Sequence, residues 1–251
     1  MAKVNDRAIN CYDARRNELF TCYRMFEKNN ILLAMTEKEQ ITKIKIDVVS
    51  DVVCPWCYIG KRRLENALSR LPENIKVDVN FLPFELNPDT PKTGRDHKSY
   101  LTEKFGGEER YDQLTEHVTN IAAGEGLAFD YSKQSVIPNT LDSHRLIQYA
   151  KSFGKQAAIK EALMKAYFEQ GIDLSNNNNL ADIAEKAGLD REHAAAFLSS
   201  DEGVQEVRKM EQVNYQRGIS GVPFYIINNK YGVSGAQPSD VFYQVLTGKL
   251  D

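Results

Sequence analysis

The sequence of 251 residues lacks several features that would each define a class of protein. No apolar segment approaches the roughly 18 residues of a membrane-spanning helix. The longest apolar run near the N-terminus, residues 31–35, is shorter than the ~7–15 apolar residues of a secretion signal. The net charge is only −3, which gives no reason to expect nucleic acid or anionic lipid as a partner. We therefore expect a cytoplasmic protein that binds neither nucleic acid nor membranes.

Cysteine is also scarce: the whole chain contains Cys11, Cys22, Cys54 and Cys57. Four cysteines in a chain of this length argue against a structural disulfide framework. A close pair such as Cys54 and Cys57 is then more often catalytic or metal-binding.

The first part of the chain differs from the rest. Residues 1–42 are polar and show no sustained hydrophobic period, and they precede the first convincing strand. We interpret them as a non-essential N-terminal extension, with residues 1–34 dispensable and a second possible start at Met35. The alternative is a short helix around residues 15–26 that docks on the domain.

A strand, a helix and a second strand follow this extension. Residues 44–49 alternate and then become continuously apolar, and residues 76–82 alternate again. The segment between them carries one apolar stripe and ends at Pro72, as an amphipathic helix does. This βαβ unit defines a first half-domain, residues 43–90.

The remaining chain is first helical and then returns to strands. Glycines divide residues 91–217 into helical segments, and four asparagines at 176–179 are suited to cap one of them. Residues 224–227 and 231–234 predict a β-hairpin, and a final helix over 239–246 completes a second half, residues 218–251. The predicted architecture is α/β, a thioredoxin-like fold with a large inserted helical domain.

The Cys54-Pro55-Trp56-Cys57 motif lies where the first strand passes into the first helix. Two cysteines three residues apart in a first helical turn can approach closely enough to form a disulfide. Free backbone N–H groups and the helix dipole at this position favour a thiolate. We expect Cys54, at the exposed start, to be the nucleophile, and the deeper Cys57 to resolve the mixed disulfide.

The two central residues of the motif support this interpretation. Pro55 suits the first helical position, where its missing N–H costs nothing, and Trp56 offers an apolar face and an indole N–H to a substrate. The alternative is a structural zinc site, which usually needs four Cys or His ligands. No other Cys or His pair has a ligand-like spacing, so we expect no bound metal. The remaining candidates are Cys11, Cys22, His97, His117, His144 and His193.

Five segments in the correct order resemble the FrnE-like branch of the DsbA family of thioredoxin-fold oxidoreductases. The resemblance extends over about residues 43–248, and it implies the same DsbA-like fold, with a helical domain inside a thioredoxin domain. The matching segments are residues 50–61, 83–88, 138–140 with 142–146, 218–224 and 232–237.

The resemblance also implies roles for residues outside the motif. Val222-Pro223 would form a cis peptide bond that faces the dithiol. Asn139 and His144 would lie at the start of a helix near the active site. His144 would modulate the thiolate or bind a substrate carboxylate, or it would only pack at the domain interface.

Two further residues suggest an apolar substrate-binding lip beside Trp56. Phe84 and Leu86 lie in the proline-punctuated loop that the resemblance includes. From the sequence, this role and ordinary core packing remain open alternatives.

The expected function is a thiol–disulfide oxidoreductase or isomerase that acts on protein or small-molecule disulfides. No cofactor is required, although glutathione as co-substrate or a thioredoxin system would recycle the dithiol. Some FrnE-like proteins carry a further C-terminal cysteine pair, whereas this chain has no cysteine after Cys57. The alternatives are a glutathione-dependent isomerase or transferase of the 2-hydroxychromene-2-carboxylate isomerase or kappa class, where serine typically replaces the first cysteine, and a non-enzymatic zinc-binding module.

Overall fold

The computed structural model describes residues 9–13, 18–27, 30–36 and 41–248. Three strands lie in the first part: β1 (Ile9–Asp13), β2 (Glu18–Glu27) and β3 (Asn30–Thr36). They form an antiparallel sheet in the order β1-β2-β3, in which Glu27 pairs with Asn30. The alternative of a helix around residues 15–26 is therefore wrong from Glu18 onward. Aromatic and β-branched residues such as Phe20, Thr21 and Tyr23 favour a strand there.

The chain forms two compact units. One contains residues 1–42 with 73–76, and the other contains residues 43–72 with 77–251. The predicted boundaries of the extension, the half-domains and the insertion stay predictions.

From residue 42 onward the chain alternates between a central sheet and helices. In chain order the elements are β4 (Thr42–Ser50), α1 (Pro55–Ser69), β5 (Ile75–Pro83), β6 (Arg95–Asp96), α2 (His97–Phe105), α3 (Glu108–Gly124), a 3-10 turn (Tyr131–Lys133), β7 (Val136–Ile137), α4 (Leu141–Lys151), α5 (Gln156–Phe168), α6 (Asn177–Lys186), α7 (Arg191–Ser199), α8 (Val204–Gln216), β8 (Phe224–Ile227), β9 (Tyr231–Ser234) and α9 (Ser239–Thr247).

The central sheet has the strand order β5-β4-β8-β9. β8 runs antiparallel to both of its neighbours, β4 and β9. Phe224 of β8 lies opposite Val49 of β4. The hairpin turn uses Asn228 and Asn229 at φ of 51° and 54°, a left-handed conformation that asparagine tolerates better than most residues. The predicted hairpin and the α/β fold with helices between its two strand halves are confirmed.

Along the chain, helices α2 to α8 all follow β5 and precede β8. α5 is held against α1 by Glu161, whose carboxylate accepts hydrogen bonds from Tyr58 Oη at 2.7 Å, Lys61 Nζ at 2.5 Å and Arg62. The Tyr58 ring stacks with Phe129 at a centroid distance of 5.8 Å, in the same contact region. These contacts fix the face of α5 that is turned toward the start of α1.

The segment between α3 and α4 is not helical, in contrast to the prediction for this region. It contains the 3-10 turn and β7, which pairs with β6 through Arg95 and Ile137. Asp130 anchors it, since its backbone N–H donates to Phe168 O at 2.8 Å. None of the helices in the described part of the chain combines the length and the apolar character that a bilayer crossing requires.

Candidate active site

The dithiol motif forms the start of α1. Cys54 is the N-cap residue with φ −91° and ψ 113°, and Pro55 occupies the first helical turn. The backbone N–H groups of Cys57 and Tyr58 both donate to Cys54 O, at 3.0 Å and 3.3 Å. The chain therefore bends directly from the sheet into the helix, which places Cys57 one turn behind Cys54.

Both cysteines are buried, which corrects the expectation of an exposed Cys54. The residue exposures are 4% for Cys54 and 3% for Cys57, so depth alone does not distinguish them. The difference is that Cys54 lines a cavity and Cys57 does not. The burial of Cys54 depends on residues from other segments that line the same cavity, about which a sequence motif alone carries no information.

The electrostatic environment also separates the two thiols. Burial raises the pKa of the Cys57 thiol well above its usual range, and the hydrogen bond and charge of Cys54 act in the same direction. Lys160 opposes this shift. Its side chain is buried, and Nζ lies 3.5 Å from Ser50 O. Burial lowers the pKa of Lys160 to about 8, although the charges of Cys57, Asp51 and Cys54 favour its cationic form.

A buried carboxylate completes the group behind the dithiol. Asp51 is fully buried, and its Oδ2 accepts a 2.8 Å hydrogen bond from Leu86 N. Nε2 of His144 lies 3.3 Å from Asp51 Oδ1 and 3.1 Å from Phe84 O. Burial raises the pKa of the Asp51 carboxyl, but the contact with His144, the Leu86 N–H and the charge of Lys160 outweigh it and hold that pKa below its usual value.

The Val222-Pro223 peptide bond is cis, as the resemblance implied. Cys54 Sγ lies 3.8 Å from Val222 O, so this bond faces the dithiol. Pro223 is buried, and its carbonyl accepts a 2.8 Å hydrogen bond from Gly235 N.

The cavity beside Cys54 has a volume of about 370 Å³. Trp56 and Leu86 are more than a third exposed and both lie on its wall, where the predicted lip would be. Phe84 lies instead in a core cluster with Val49 and Ile219. The lip interpretation thus fits Leu86, whereas the packing interpretation fits Phe84.

Asn139 and His144, which were expected near the active site at the start of α4, do not line the cavity beside Cys54. Asn139 donates to Thr90 O at 2.9 Å and accepts from Leu141 N at 3.0 Å, which fixes the start of α4. His144 is 1% exposed and faces Asp51 rather than the cavity wall. His144 therefore reaches the dithiol region from behind, and the position of Asn139 gives no contact with a substrate at Cys54.

Sequence reasoning missed Lys160 and Gln134. Lys160 belongs to the buried stripe of α5 with Met164 and Tyr167, at a spacing of four and seven residues. A lysine in an apolar stripe is a detectable signal, because buried charges are rare unless they have a partner. Gln134 lies on the cavity wall in the non-helical segment, and no pattern in the sequence marks it.

A structural zinc site would need a group of His, Cys, Asp or Glu ligands. In the described part of the chain, no three such side chains are placed to hold a metal ion. Cys11 and Cys22 lie on β1 and β2 and their side chains are outside the described residues.

The fold and the cysteine pair define a thioredoxin-fold protein with a dithiol at a helix start. Residues 45–247 match the DSBA-like thioredoxin domain family, and the chain belongs to this family. The chain is therefore a DsbA-like oxidoreductase, and the predicted membership of the DsbA family is confirmed. The FrnE-like branch within it stays a prediction.

Three known proteins illustrate this relationship. A probable DsbA oxidoreductase of Streptomyces coelicolor is 36% identical with a TM-score of 0.76, over 82% of this chain and 89% of that one. The cytosolic disulfide reductase DsbM of Pseudomonas aeruginosa, solved with GSH, shares the fold at 16% identity, with a TM-score of 0.60 over 82% and 98% of the two chains. The 2-hydroxychromene-2-carboxylate isomerase of Sphingobium xenophagum is 32% identical over 82 residues, 33% of this chain and 42% of the isomerase.

Proposed function

We propose that the protein exchanges disulfides through a mixed-disulfide intermediate. The Cys54 thiolate attacks one sulfur of a substrate disulfide, and the other sulfur leaves as a thiolate. The Cys57 thiolate then attacks Cys54 Sγ, which releases the second substrate thiolate and leaves a Cys54–Cys57 disulfide. Two electrons pass from the dithiol to the substrate.

The observation that carries this proposal is the unequal access to two equally buried thiols. Cys54 faces a cavity that a substrate can enter, and Cys57 lies behind it. Attack from the cavity therefore involves Cys54 first. This order agrees with the raised pKa of the Cys57 thiol, since burial and the neighbouring Cys54 both favour its protonated form.

Lys160 supports the second step. Its charge lowers the pKa of the Cys57 thiol against the effect of burial, and so favours the thiolate that resolution requires. The lysine does not line the cavity, which makes it a positioning and electrostatic residue rather than a substrate contact.

Recycling requires a second thiol partner. We propose cytoplasmic glutathione or a thioredoxin-type protein as the reductant, because no further cysteine follows Cys57. The structural likeness to a cytosolic disulfide reductase that was solved with GSH supports the choice of glutathione.

A glutathione-dependent isomerase is the second candidate, and the sequence similarity to the 2-hydroxychromene-2-carboxylate isomerase favours it. The presence of both Cys54 and Cys57 at the helix start favours disulfide chemistry instead. Transferase or isomerase turnover that persists in Cys54→Ser would reverse this preference.

The test is insulin-disulfide reduction with three variants of the full chain. Cys54→Ser is expected to abolish activity, since among the described residues Cys54 supplies the thiol on the cavity wall. Cys57→Ser is expected to accumulate mixed disulfides that mass spectrometry detects. Cys22→Ser, a cysteine outside the motif, is the control and should match the wild type. Wild-type rates in both motif variants would refute the mechanism.

A further inference from the structure

Two tyrosine hydroxyl groups on the wall of the cavity beside Cys54 have no hydrogen-bond partner among the described residues. Tyr131 and Tyr167 both line this cavity. Their hydroxyl oxygens keep accessible surface, in contrast to the enclosed and unpaired hydroxyl of Tyr225. Tyr167 is only 3% exposed, so the little surface that it retains lies on the cavity wall. Both hydroxyls are therefore within reach of a molecule that enters the cavity.

Of the two, the Tyr131 hydroxyl is the one that lies toward Cys54. Burial raises the pKa of Tyr131, and the charge of Cys54 is the next largest cause. For Tyr167, burial raises the pKa and the leading charges are those of Tyr131 and Asp51. Tyr131 nevertheless makes no hydrogen bond to Cys54 Sγ, which lies 3.8 Å from Val222 O. The Tyr131 hydroxyl thus shares the cavity with the nucleophile without contacting it.

The space between the two groups suits the leaving sulfur of a disulfide. In a displacement at sulfur, the leaving sulfur lies on the far side of the attacked one, roughly 4 Å from the attacking Sγ at two S–S bond lengths. A hydroxyl beyond hydrogen-bond reach of Cys54 Sγ can therefore contact the sulfur on which negative charge develops. The raised pKa keeps the proton on the Tyr131 oxygen, so this group is a donor.

The donor is held in place before a substrate arrives. Tyr131 opens the 3-10 turn, and its ring packs edge-on against Phe129 and Phe168 at centroid distances of 6.4 Å and 6.5 Å. Asp130 fixes the turn, because its Oδ1 accepts a 3.1 Å hydrogen bond from Ser132 N. Donors that are fixed in advance stabilise developing charge without a cost of reorganisation.

We propose that Tyr131 is a catalytic residue whose hydroxyl donates a hydrogen bond to the thiolate that leaves when Cys54 attacks a disulfide. This inference rests on the proposed attack by Cys54 and adds a residue to that step. The Cys54–substrate S–S bond forms as the substrate S–S bond breaks, and the electron pair of the broken bond leaves on the departing sulfur. Tyr131 keeps its proton, and the departing thiolate later takes one from water.

The test varies the leaving thiolate and keeps the attacked sulfur constant. The Cys57→Ser chain stops at the mixed disulfide, with or without Tyr131→Phe. Three methyl disulfides are used, which release 4-nitrobenzenethiolate, benzenethiolate or 2-hydroxyethanethiolate, in order of increasing basicity. Quenched peptide mass spectrometry counts only the S-methyl adduct of Cys54, so the same sulfur is attacked in every case.

The rate lost in Tyr131→Phe should grow with the basicity of the leaving thiolate. We expect a loss of about 10- to 100-fold for 2-hydroxyethanethiolate, the equivalent of one hydrogen bond to a charged group. The loss should stay below about 3-fold for 4-nitrobenzenethiolate, which leaves readily without help. The dependence on the leaving group is independent of the folded fraction, because every reagent meets the same sample. Tyr149→Phe, a half-buried tyrosine of α4 that does not line the cavity, is the matched control and should leave all three rates unchanged.

The outcomes separate this inference from the proposed function. Equal losses for all three reagents, or no loss, would overturn the inference while Cys54 still forms mixed disulfides. A steeper dependence in Tyr167→Phe together with an unchanged one in Tyr131→Phe would overturn the assignment to Tyr131. If Cys54 forms no adduct with any reagent in the chain that retains Tyr131, the proposed function fails and this inference fails with it.

Discussion

Replacing Lys160 with methionine should stabilise the fold near neutral pH. Burial lowers the pKa of this lysine from 10.5 to about 8, so holding it charged inside the protein at pH 7 costs free energy. A difference of about 2.5 between the folded and unfolded pKa values corresponds to about 3 kcal/mol. Methionine has a similar length and no charge, and Lys160→Met should therefore be more stable than the wild type by up to about 3 kcal/mol at pH 7.

The sign of the pH dependence follows from proton binding. Between pH 8 and 10.5 the unfolded lysine keeps its proton while the folded one loses it, so the wild type gains stability as the pH rises. The advantage of Lys160→Met should thus shrink by about 2–3 kcal/mol between pH 7 and pH 10. Urea unfolding at both pH values measures this difference. Lys165→Met on the exposed side of α5 is the matched control and should show no comparable change.

The redox state provides a further check. The charges of Cys57 and Cys54 favour the cationic form of Lys160, and disulfide formation removes them. The stabilisation by Lys160→Met should therefore be larger in the oxidised protein than in the reduced one. The same substitution should slow the release of mixed disulfides, because Cys57 loses a charge that favours its thiolate. An oxidised Lys160→Met protein that is less stable than the wild type at pH 7, or a difference independent of pH, would refute the reasoning.

Two other substitutions test the packing and charge near the site. Burial and the charge of Glu211 raise the pKa of Glu85 to about 7, while Arg208 opposes them. Between pH 4.5 and 7 this carboxyl therefore ionises in the unfolded chain but stays protonated in the folded one, and the wild type should lose about 3 kcal/mol of stability. In thermal unfolding, Glu85→Gln should match the wild type at pH 4 and exceed its stability at pH 8; equal melting at both values would contradict the shift. Gly60→Ala would place a Cβ against Tyr225 Oη, and overpacking of this kind costs about 1–3 kcal/mol, more than the helix propensity that alanine adds. A Cβ added by Gly124→Ala on α3 has no atom within contact distance, so this variant should not destabilise the fold. Equal denaturation midpoints for the two alanine variants would show that the residues around Gly60 rearrange at no cost in stability.

The regular elements with a clear hydrophobic period could be predicted from the sequence. The predicted strand over 44–49 lies within β4, and the predicted hairpin coincides with β8 and β9. Asn176 caps α6 by accepting a hydrogen bond from Asn178 N, as the run of asparagines suggested. β6 and β7 have two residues each and carry no detectable period, so their pairing depends on tertiary contacts.

The candidate site was predictable only where local sequence determines it. The Cys54–Cys57 spacing and the position of Pro55 follow from the helix start, and both are found. The burial of Cys54 and the position of Phe84 depend on segments that are far apart in the chain. The alternation of apolar and polar residues within one segment contains no information about such contacts. The neighbourhood of Lys160 and Ser50 likewise joins residues 110 positions apart.

The helical insertion supplies what distinguishes this dithiol from the bare motif. Outside the insertion, the start of α1 contributes the cysteine pair, and the segment before β8 contributes Val222 O beside Cys54 Sγ. Helix α5 places Lys160 and α4 places His144 behind the dithiol, where they act on Cys57 and Asp51. The segment before α4 places Gln134 in front of it. Because the charge behind the thiols and the cavity before them come from different parts of the insertion, substitutions at Lys160 should change the redox steps without changing the cavity wall.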